Sequence, residues 1–235
     1  MREYPLADGQ PFLLLDQIGF DIRPYTKKVV FKPGEHMLEE GTKTEYLYFL
    51  EKGRAKVTQS EENGRETLSN FLTAPAFIGE MELLGARDYN NGVTAATTCV
   101  CYQIRYAKCK EQLLNDPKFL RSLCKDLLGR FVREVDNFSK NLSYPLRTRL
   151  AIFILQSSVD NLYSTKHTEA AAYLGVSYRH FLYVLAEFTR EGLIEKTTRG
   201  YRILDLEGLK TISNNTTPHQ KSTDAHMKPM LHILR

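Results

Sequence analysis

HTEAAAYLGVSYRHFLYVLAE, residues 167–187, reads as two short helices joined by a tight turn. The first helix is expected over His167–Leu174, the turn at Gly175 and Val176, and the second helix over Ser177–Glu187. Ala170 and Ala171 are small where two helices would cross closely. Gly175 lacks a Cβ and so accepts the positive φ of a sharp turn. Ser177 can cap the second helix by accepting a backbone N–H. Leu174, Val176, Phe181, Val184 and Leu185 form the apolar seam, with Phe181, Val184, Leu185 and Phe188 at helical spacing. Tyr178, Arg179, His180 and Tyr183 are left on the outward face. That is the layout of a helix-turn-helix whose second helix enters the DNA major groove.

Downstream, LIEKTTRGYRILDLEGL reads as strand, turn at Arg199-Gly200, and strand, a β wing. Lys196, Thr197, Thr198 and Arg199 on that wing suit phosphate contact, as do Lys166, His167 and Thr168 at the start of the first helix. Upstream, PLRTRLAIFILQSSVD is amphipathic, with Leu146, Leu150, Ile152, Phe153 and Leu155 apolar. Tyr144-Pro145 interrupts the helical pattern and reads as a hinge.

A longer helix precedes the hinge. Asn115-Asp116-Pro117 is a start signal, a capping residue followed by proline at the first helical position. Leu120, Cys124, Leu127, Phe131, Val135, Phe138 and Leu142 then recur at spacings of three or four. One long helix after a β region lacks its own surface to cover every turn, so a second copy is the economical partner and a homodimer is expected. Before it, residues 26–104 break into short strands, with turns at Pro33-Gly34, Lys52-Gly53 and Asn63-Gly64. Turn signals at intervals of about ten residues indicate a sandwich or barrel. Residues 1–20 are a weakly patterned leader. The expected organisation is a β-roll sensor domain over 1–115, a dimerisation helix over 116–143, a winged helix-turn-helix over 144–210 and a mobile tail over 211–235.

Composition narrows the classes. The chain has 235 residues, 42% apolar and 26% charged, which fits a globular protein with a real core. No apolar run reaches the roughly 18 residues of a membrane span, so a cytoplasmic protein without a membrane partner is expected. The net charge is +4, and basic and acidic residues cancel over 1–144, so the surplus lies in 145–235, the part that holds the expected reader. A polyanionic partner fits that placement. His36 is the single histidine in the β region, and no Ser/His/Asp or Cys/His arrangement is visible, so neither a metal site nor an enzyme is expected.

The order β-roll, long helix, hinge and winged helix-turn-helix resembles the CRP/FNR family of bacterial transcription regulators. The landmarks are Lys32–Glu35 (KPGE) followed by Gly41, Tyr48–Lys56 (YFLEKGRAK), Phe77–Leu84 (FIGEMELL) and the helix-turn-helix. The 167–188 run looks especially like the YeiL-like subgroup. The resemblance covers roughly residues 25–210. It implies an α+β chain: an N-terminal double-stranded β-helix (jelly-roll) of the cyclic-nucleotide-binding type, a dimerisation helix and a C-terminal winged helix-turn-helix. It further implies a homodimer on a two-fold-symmetric double-stranded DNA site, with RNA polymerase as a partner.

The resemblance also places a candidate ligand site at Gly79, Glu80, Asn90 and Asn91. In cyclic-AMP-binding members an Arg-Ser pair follows the Gly-Glu and holds the nucleotide, whereas Tyr89–Asn91 here contain no arginine. Without a guanidinium for the cyclic phosphate, cyclic-AMP binding is not expected, and Glu80 reads as an acceptor for backbone donors. Iron–sulfur members carry an N-terminal cysteine cluster, but no cysteine here precedes Cys99, so a cluster is not expected either. The reader departs too: Arg179 stands where members often present glutamate, which makes it the expected base reader toward guanine O6 and N7. Tyr178 and Tyr183 would flank it, with Ser177 on phosphate. The alternative left open is a small-molecule or redox sensor, using Cys99, Cys101, Cys109 and Cys124, whose output is a protein contact.

Overall fold

The computed structural model describes residues 1–4, 6, 13–60 and 66–214, with the side chains of 66 and 136–142 left aside. Two sheets form the N-terminal sandwich. The first contains β1 (Arg2–Tyr4), β2 (Thr26–Phe31), β4 (Tyr46–Lys52), β7 (Ala76–Ile78) and β9 (Cys99–Arg105), in the order β1-β2-β9-β4-β7. The second contains β3 (His36–Leu38), β5 (Arg54–Ser60), β6 (Glu66–Thr73) and β8 (Gly92–Ala95), in the order β3-β8-β5-β6. All their pairings are antiparallel.

Side-chain alternation decides what each face of the first sheet covers. Tyr48 and Leu50 of β4 join Phe31, Leu72, Val93, Cys99 and Cys101 in the core between the sheets. Leu47 and Phe49 point the other way, into a second core closed by Leu14, Ile18, Ile22, Leu113, Phe119 and Leu123. β4 is therefore apolar on both faces, which is why its sequence reads as a run rather than an alternation. The weakly patterned leader turns out to be part of this second core. Short 3-10 turns at Leu13–Gln17 and Arg23–Tyr25 lay its apolar residues over the outer face, and β1 adds an edge strand.

A short helix α1 (Glu80–Leu83) follows β7, and α2 (Lys110–Leu114) leads into the long helix α3 (Pro117–Ser143). Asp116 starts α3 as expected: its Oδ1 accepts the Lys118 amide at 3.0 Å while Oδ2 accepts the Gly19 amide at 2.6 Å. Helix α4 (Leu146–Ser157) begins directly after Pro145. The helix-turn-helix is α5 (His167–Tyr173) and α6 (Tyr178–Arg190). The wing is β11 (Ile194–Thr197) and β12 (Gly200–Ile203), extended by β10 (Leu162–Tyr163) into the order β10-β12-β11. A final helix, α7 (Leu206–Asn214), carries regular structure past residue 210, so the tail expected from 211 starts inside a helix. Residues 215–235, and the Asn63-Gly64 turn, lie outside the described residues.

Candidate nucleic-acid interface and sensor cavity

The helix-turn-helix is held as its sequence implies. Ala170 and Ala171 are buried at the crossing, and Leu174, Phe181, Val184, Leu185 and Phe188 fill the seam against α4. Gly175 takes φ +63°. The Ser177 hydroxyl accepts the His180 amide at 3.3 Å and so caps α6. What remains outside is the expected face: Ser177, Tyr178, Arg179, His180 and Tyr183 are outside the core, on the surface of α6. Lys166, Thr168, Lys196 and Arg199 are exposed, and the first three line a groove together with Tyr178.

His167 behaves differently from the other residues expected at this surface. It is half-buried, parallel to the Tyr163 ring at 6.3 Å and within 5.6 Å of the Phe181 and Tyr201 rings. It pins the wing to both helices. Burial and the neighbouring Lys196 charge hold its pKa below the ordinary histidine value. The groove beside it is lined by Ser164, Thr165, Lys166, Thr168, Lys196 and Thr197, cations and hydroxyls without a carboxylate. Such a lining suits a phosphate backbone.

One residue important to this geometry gave no signal in the sequence. Arg149 donates from Nε to the Tyr144 carbonyl at 3.1 Å and from Nη1 to the Leu174 carbonyl at 2.5 Å. It joins the hinge to the end of α5. Arg147 sits on the same helix and binds Glu187 of α6 and Glu191 just past its end. An arginine inside an amphipathic helix gives no sign of which carbonyls it will reach.

The long helix carries three stripes. Phe119 and Leu123 are buried against the sandwich, and Leu120 and Leu127 pack partly against the same core. Leu120 and Leu127, expected on a dimer seam, therefore serve their own domain. Cys124 is exposed, and beyond it Leu128, Phe131, Val132 and Val135 are 63%, 62%, 57% and 46% exposed. Leu128 and Val132 belong to this open stripe, although the spacing argument assigned it Leu120 and Leu127. The Phe138 side chain lies outside the described residues. The difference has a simple cause: the apolar core of the sandwich covers α3 as far as Leu127, whereas beyond it the helix meets the sandwich through the polar Arg130 and Glu134 and leaves its apolar side chains open.

The third stripe is polar and reaches a cavity in the sandwich. Asp126, Arg130 and Glu134 stand at successive i, i+4 positions. Asp126 Oδ2 accepts the Phe77 amide at 3.0 Å and Arg130 Nη2 at 2.7 Å. Arg130 Nη1 is 3.1 Å from Glu80 Oε1. Glu134 Oε1 accepts Asn70 Nδ2 at 2.6 Å. Glu80 is thus bound by a guanidinium from α3 in addition to the backbone donation expected for it, which comes from its own amide. Burial pushes its pKa up and outweighs the Arg130 charge.

The cavity, about 380 Å³, is lined by Gly79, Glu80, Asn91, Arg87 and Arg130 on one side and by Leu72 and Val57 on another. Gly79 has φ +90°, and a Cβ there would stand 2.6 Å from the Tyr46 carbonyl, so only glycine fits this turn. Two expectations need correction. Asn90 does not line the cavity: it is buried and its Nδ2 donates to Thr42 Oγ1 at 3.1 Å. The cavity also does not lack a guanidinium. The loop folds so that Arg87 Nη1 donates to Asn91 Oδ1 at 2.6 Å, and Arg130 arrives from a helix about fifty positions away in sequence from Glu80.

The cysteines are mostly interior. Cys99 and Cys101 share one face, buried between the sheets, while Cys109 lies in the other core and Cys124 on the open stripe. Burial raises all three interior thiol pKa values, that of Cys109 to about 11.

Comparison with known proteins agrees with these two sites. Residues 28–116 match the cyclic nucleotide-binding domain family and residues 148–212 the Crp-like helix-turn-helix domain. The regulatory protein YeiL of Escherichia coli O157:H7 is 39% identical over 201 residues, spanning 86% of this chain and 92% of that protein. The chain belongs to the CRP/FNR family of transcription regulators. The cAMP-activated global transcriptional regulator CRP of Salmonella typhimurium is 30% identical over 95 residues, 40% of this chain and 45% of that one. The CRP/FNR-family regulator TTHA1359 of Thermus thermophilus shares the fold, with TM-score 0.64 at 21% identity, covering 81% of this chain and all of that one. CRP/FNR regulators bind DNA through this helix-turn-helix and act as dimers. Among the described residues no helix is long and apolar enough to cross a membrane.

Proposed function

We propose that two copies of this chain pair through Cys124, Leu128, Phe131, Val132 and Val135 of α3 and set two α6 helices into adjacent major grooves of a two-fold-symmetric DNA site. Arg179 reads guanine, Tyr178, His180 and Tyr183 flank it, and Lys166, Thr168, Lys196 and Arg199 hold phosphates. The observation that carries this reading is the open face of α6, polar and aromatic, with Lys166 and Lys196 in the groove beside Tyr178. The open apolar stripe on α3 supports the pairing, because four large side chains at helical spacing need cover. In this reading residues 1–115 sense, 116–143 pair and 144–210 bind DNA. The protein works in the cytoplasm and contacts RNA polymerase from the bound site. Burial of three of the four cysteines favours DNA regulation over a thiol-based signal.

Selection of bound sequences from random duplex DNA tests this. The expected product is a palindrome with half-sites one helical turn, about 10–10.5 base pairs, apart. An asymmetric site, or a single half-site bound as tightly as the pair, would overturn it.

A further inference from the structure

The sensor cavity carries charge of the wrong sign for a phosphate. Three carboxylates line it, those of Glu80, Glu82 and Glu134, against two guanidiniums, those of Arg87 and Arg130. The Arg130 guanidinium is already engaged: Nη1 is 3.1 Å from Glu80 Oε1 and Nη2 is 2.7 Å from Asp126 Oδ2. Arg87 is exposed, and its Nη1 donates to Asn91 Oδ1 at 2.6 Å.

The other two carboxylates lack a counter-ion. Among the described residues neither Glu82 nor Glu134 has a cation within 4 Å. Glu134 Oε1 accepts the neutral Asn70 amide at 2.6 Å. Glu82 is half-buried. Burial pushes its carboxyl pKa up, and neither its own amide nor the Arg87 charge restores it. Burial, and after it the Asp126 and Glu82 charges, push up that of Glu80. A carboxylate withdrawn from water without a cation loses hydration that nothing returns. The remainder of the wall is largely apolar, built from Leu38, Val57, Leu72, Ile78 and Val93.

We propose that this cavity binds a small organic cation, with a primary ammonium group held by Glu82, a second negative charge supplied by Glu134, and an apolar body against Val57 and Leu72. An ammonium brings both hydrogen-bond donors and positive charge, which these acceptors lack. A cyclic phosphate does the reverse. It adds a negative charge beside three carboxylates, and Arg130 could turn to it only by giving up Glu80 or Asp126, which strands an interior carboxylate. The ligand for which the matched domain is named therefore does not fit the residues present here. The inference rests on the reading that residues 1–115 sense a signal, and it names the chemistry of that signal.

The test is isothermal titration calorimetry on the free, full-length protein. The probes are 2-phenylethylamine, its neutral analogue 2-phenylethanol, the anion 3-phenylpropionate, and cyclic AMP. The amine is expected to bind saturably and at least about tenfold more tightly than the alcohol, with no binding of either anion. Glu82→Gln keeps the side-chain shape and removes the charge. It should weaken the amine by at least about tenfold and leave the alcohol within about twofold. Glu134→Gln, at an exposed position, is the second variant and should also weaken the amine while sparing the alcohol. Absence of amine binding, equal affinity for amine and alcohol, undiminished amine affinity in both variants, or tighter binding of cyclic AMP than of the amine overturns the proposal. No DNA is present, so each of these outcomes is distinct from failure to bind DNA in the selection experiment.

Discussion

Phe131→Ala isolates the proposed pairing of α3 helices. The side chain is 62% exposed in the single chain, so its removal takes little from the protomer's own core. A phenylalanine buries roughly 150–250 Å² when covered, so pairing would hide about 100 Å² beyond what alanine retains. At about 25 cal/mol per Å² this is about 2.5 kcal/mol per protomer, and about 5 kcal/mol for the symmetric pair. With about 1.4 kcal/mol per decade, the dimer dissociation constant should rise by more than about three decades. Sedimentation velocity over a dilution series measures it directly. The secondary structure by circular dichroism should be unchanged, while thermal stability should become less dependent on concentration. Leu127→Ala is the control, since Leu127 packs partly on the sandwich core and should cost fold stability more than pairing. A Phe131→Ala protein whose dissociation constant stays within about tenfold of the parent would refute the assignment of this face, as would a parent that is monomeric at micromolar concentration.

Arg179→Ala should cost about 1–3 kcal/mol at one base pair per half-site and relax discrimination there, read by competition with single-base variants of the selected DNA. Unaltered discrimination at every position would remove Arg179 as the reader. His167→Gln should flatten the acid limb of stability. The folded-state pKa lies below the ordinary 6.5, so the unfolded chain takes up the proton first, and the parent loses stability as pH falls below 6.5. Urea titrations between neutral and mildly acidic pH check the slope, and an identical slope in the variant would be the contrary result. Arg130→Met strands the buried Glu80 carboxylate and should cost about 3–5 kcal/mol, with Glu80→Gln/Arg130→Met recovering most of it. Because burial already raises the Glu80 pKa above its ordinary 4.5, the single variant should lose less at low pH, where the folded acid is protonated. Denaturant midpoints of the three proteins at two pH values decide this.

Local rules account for what was legible in the sequence. Ser177, Gly175 and the Ala170–Ala171 pair define a helix-turn-helix within about twenty letters, because capping, positive φ and close helix approach all act over a few residues. Asp116-Pro117 marked the start of α3 for the same reason. The misses were all long-range. Arg130 meets Glu80, and Arg54 meets Ser158, across separations that no periodicity encodes. Leu14, Ile18 and Ile22 lacked a strand or helix pattern, yet they close a core because β4 presents a second apolar face to them. The α3 stripe was legible as apolar but not as divided, since which turns are covered depends on where the sandwich ends. Glu80 was legible as an acceptor for backbone donors, but its guanidinium partner is brought by a helix about fifty positions away in sequence.

Arg149 has a consequence for how the head can turn at Pro145. Its guanidinium holds the carbonyl of Tyr144, before the proline, and that of Leu174, at the end of α5. A gradual pivot would stretch one of these bonds while leaving the other intact, and neither carbonyl could be released without exposing or replacing its donor. Motion at this joint should therefore be stepwise, with the head seated or let go, which suits a regulator that must give a yes-or-no answer at a promoter.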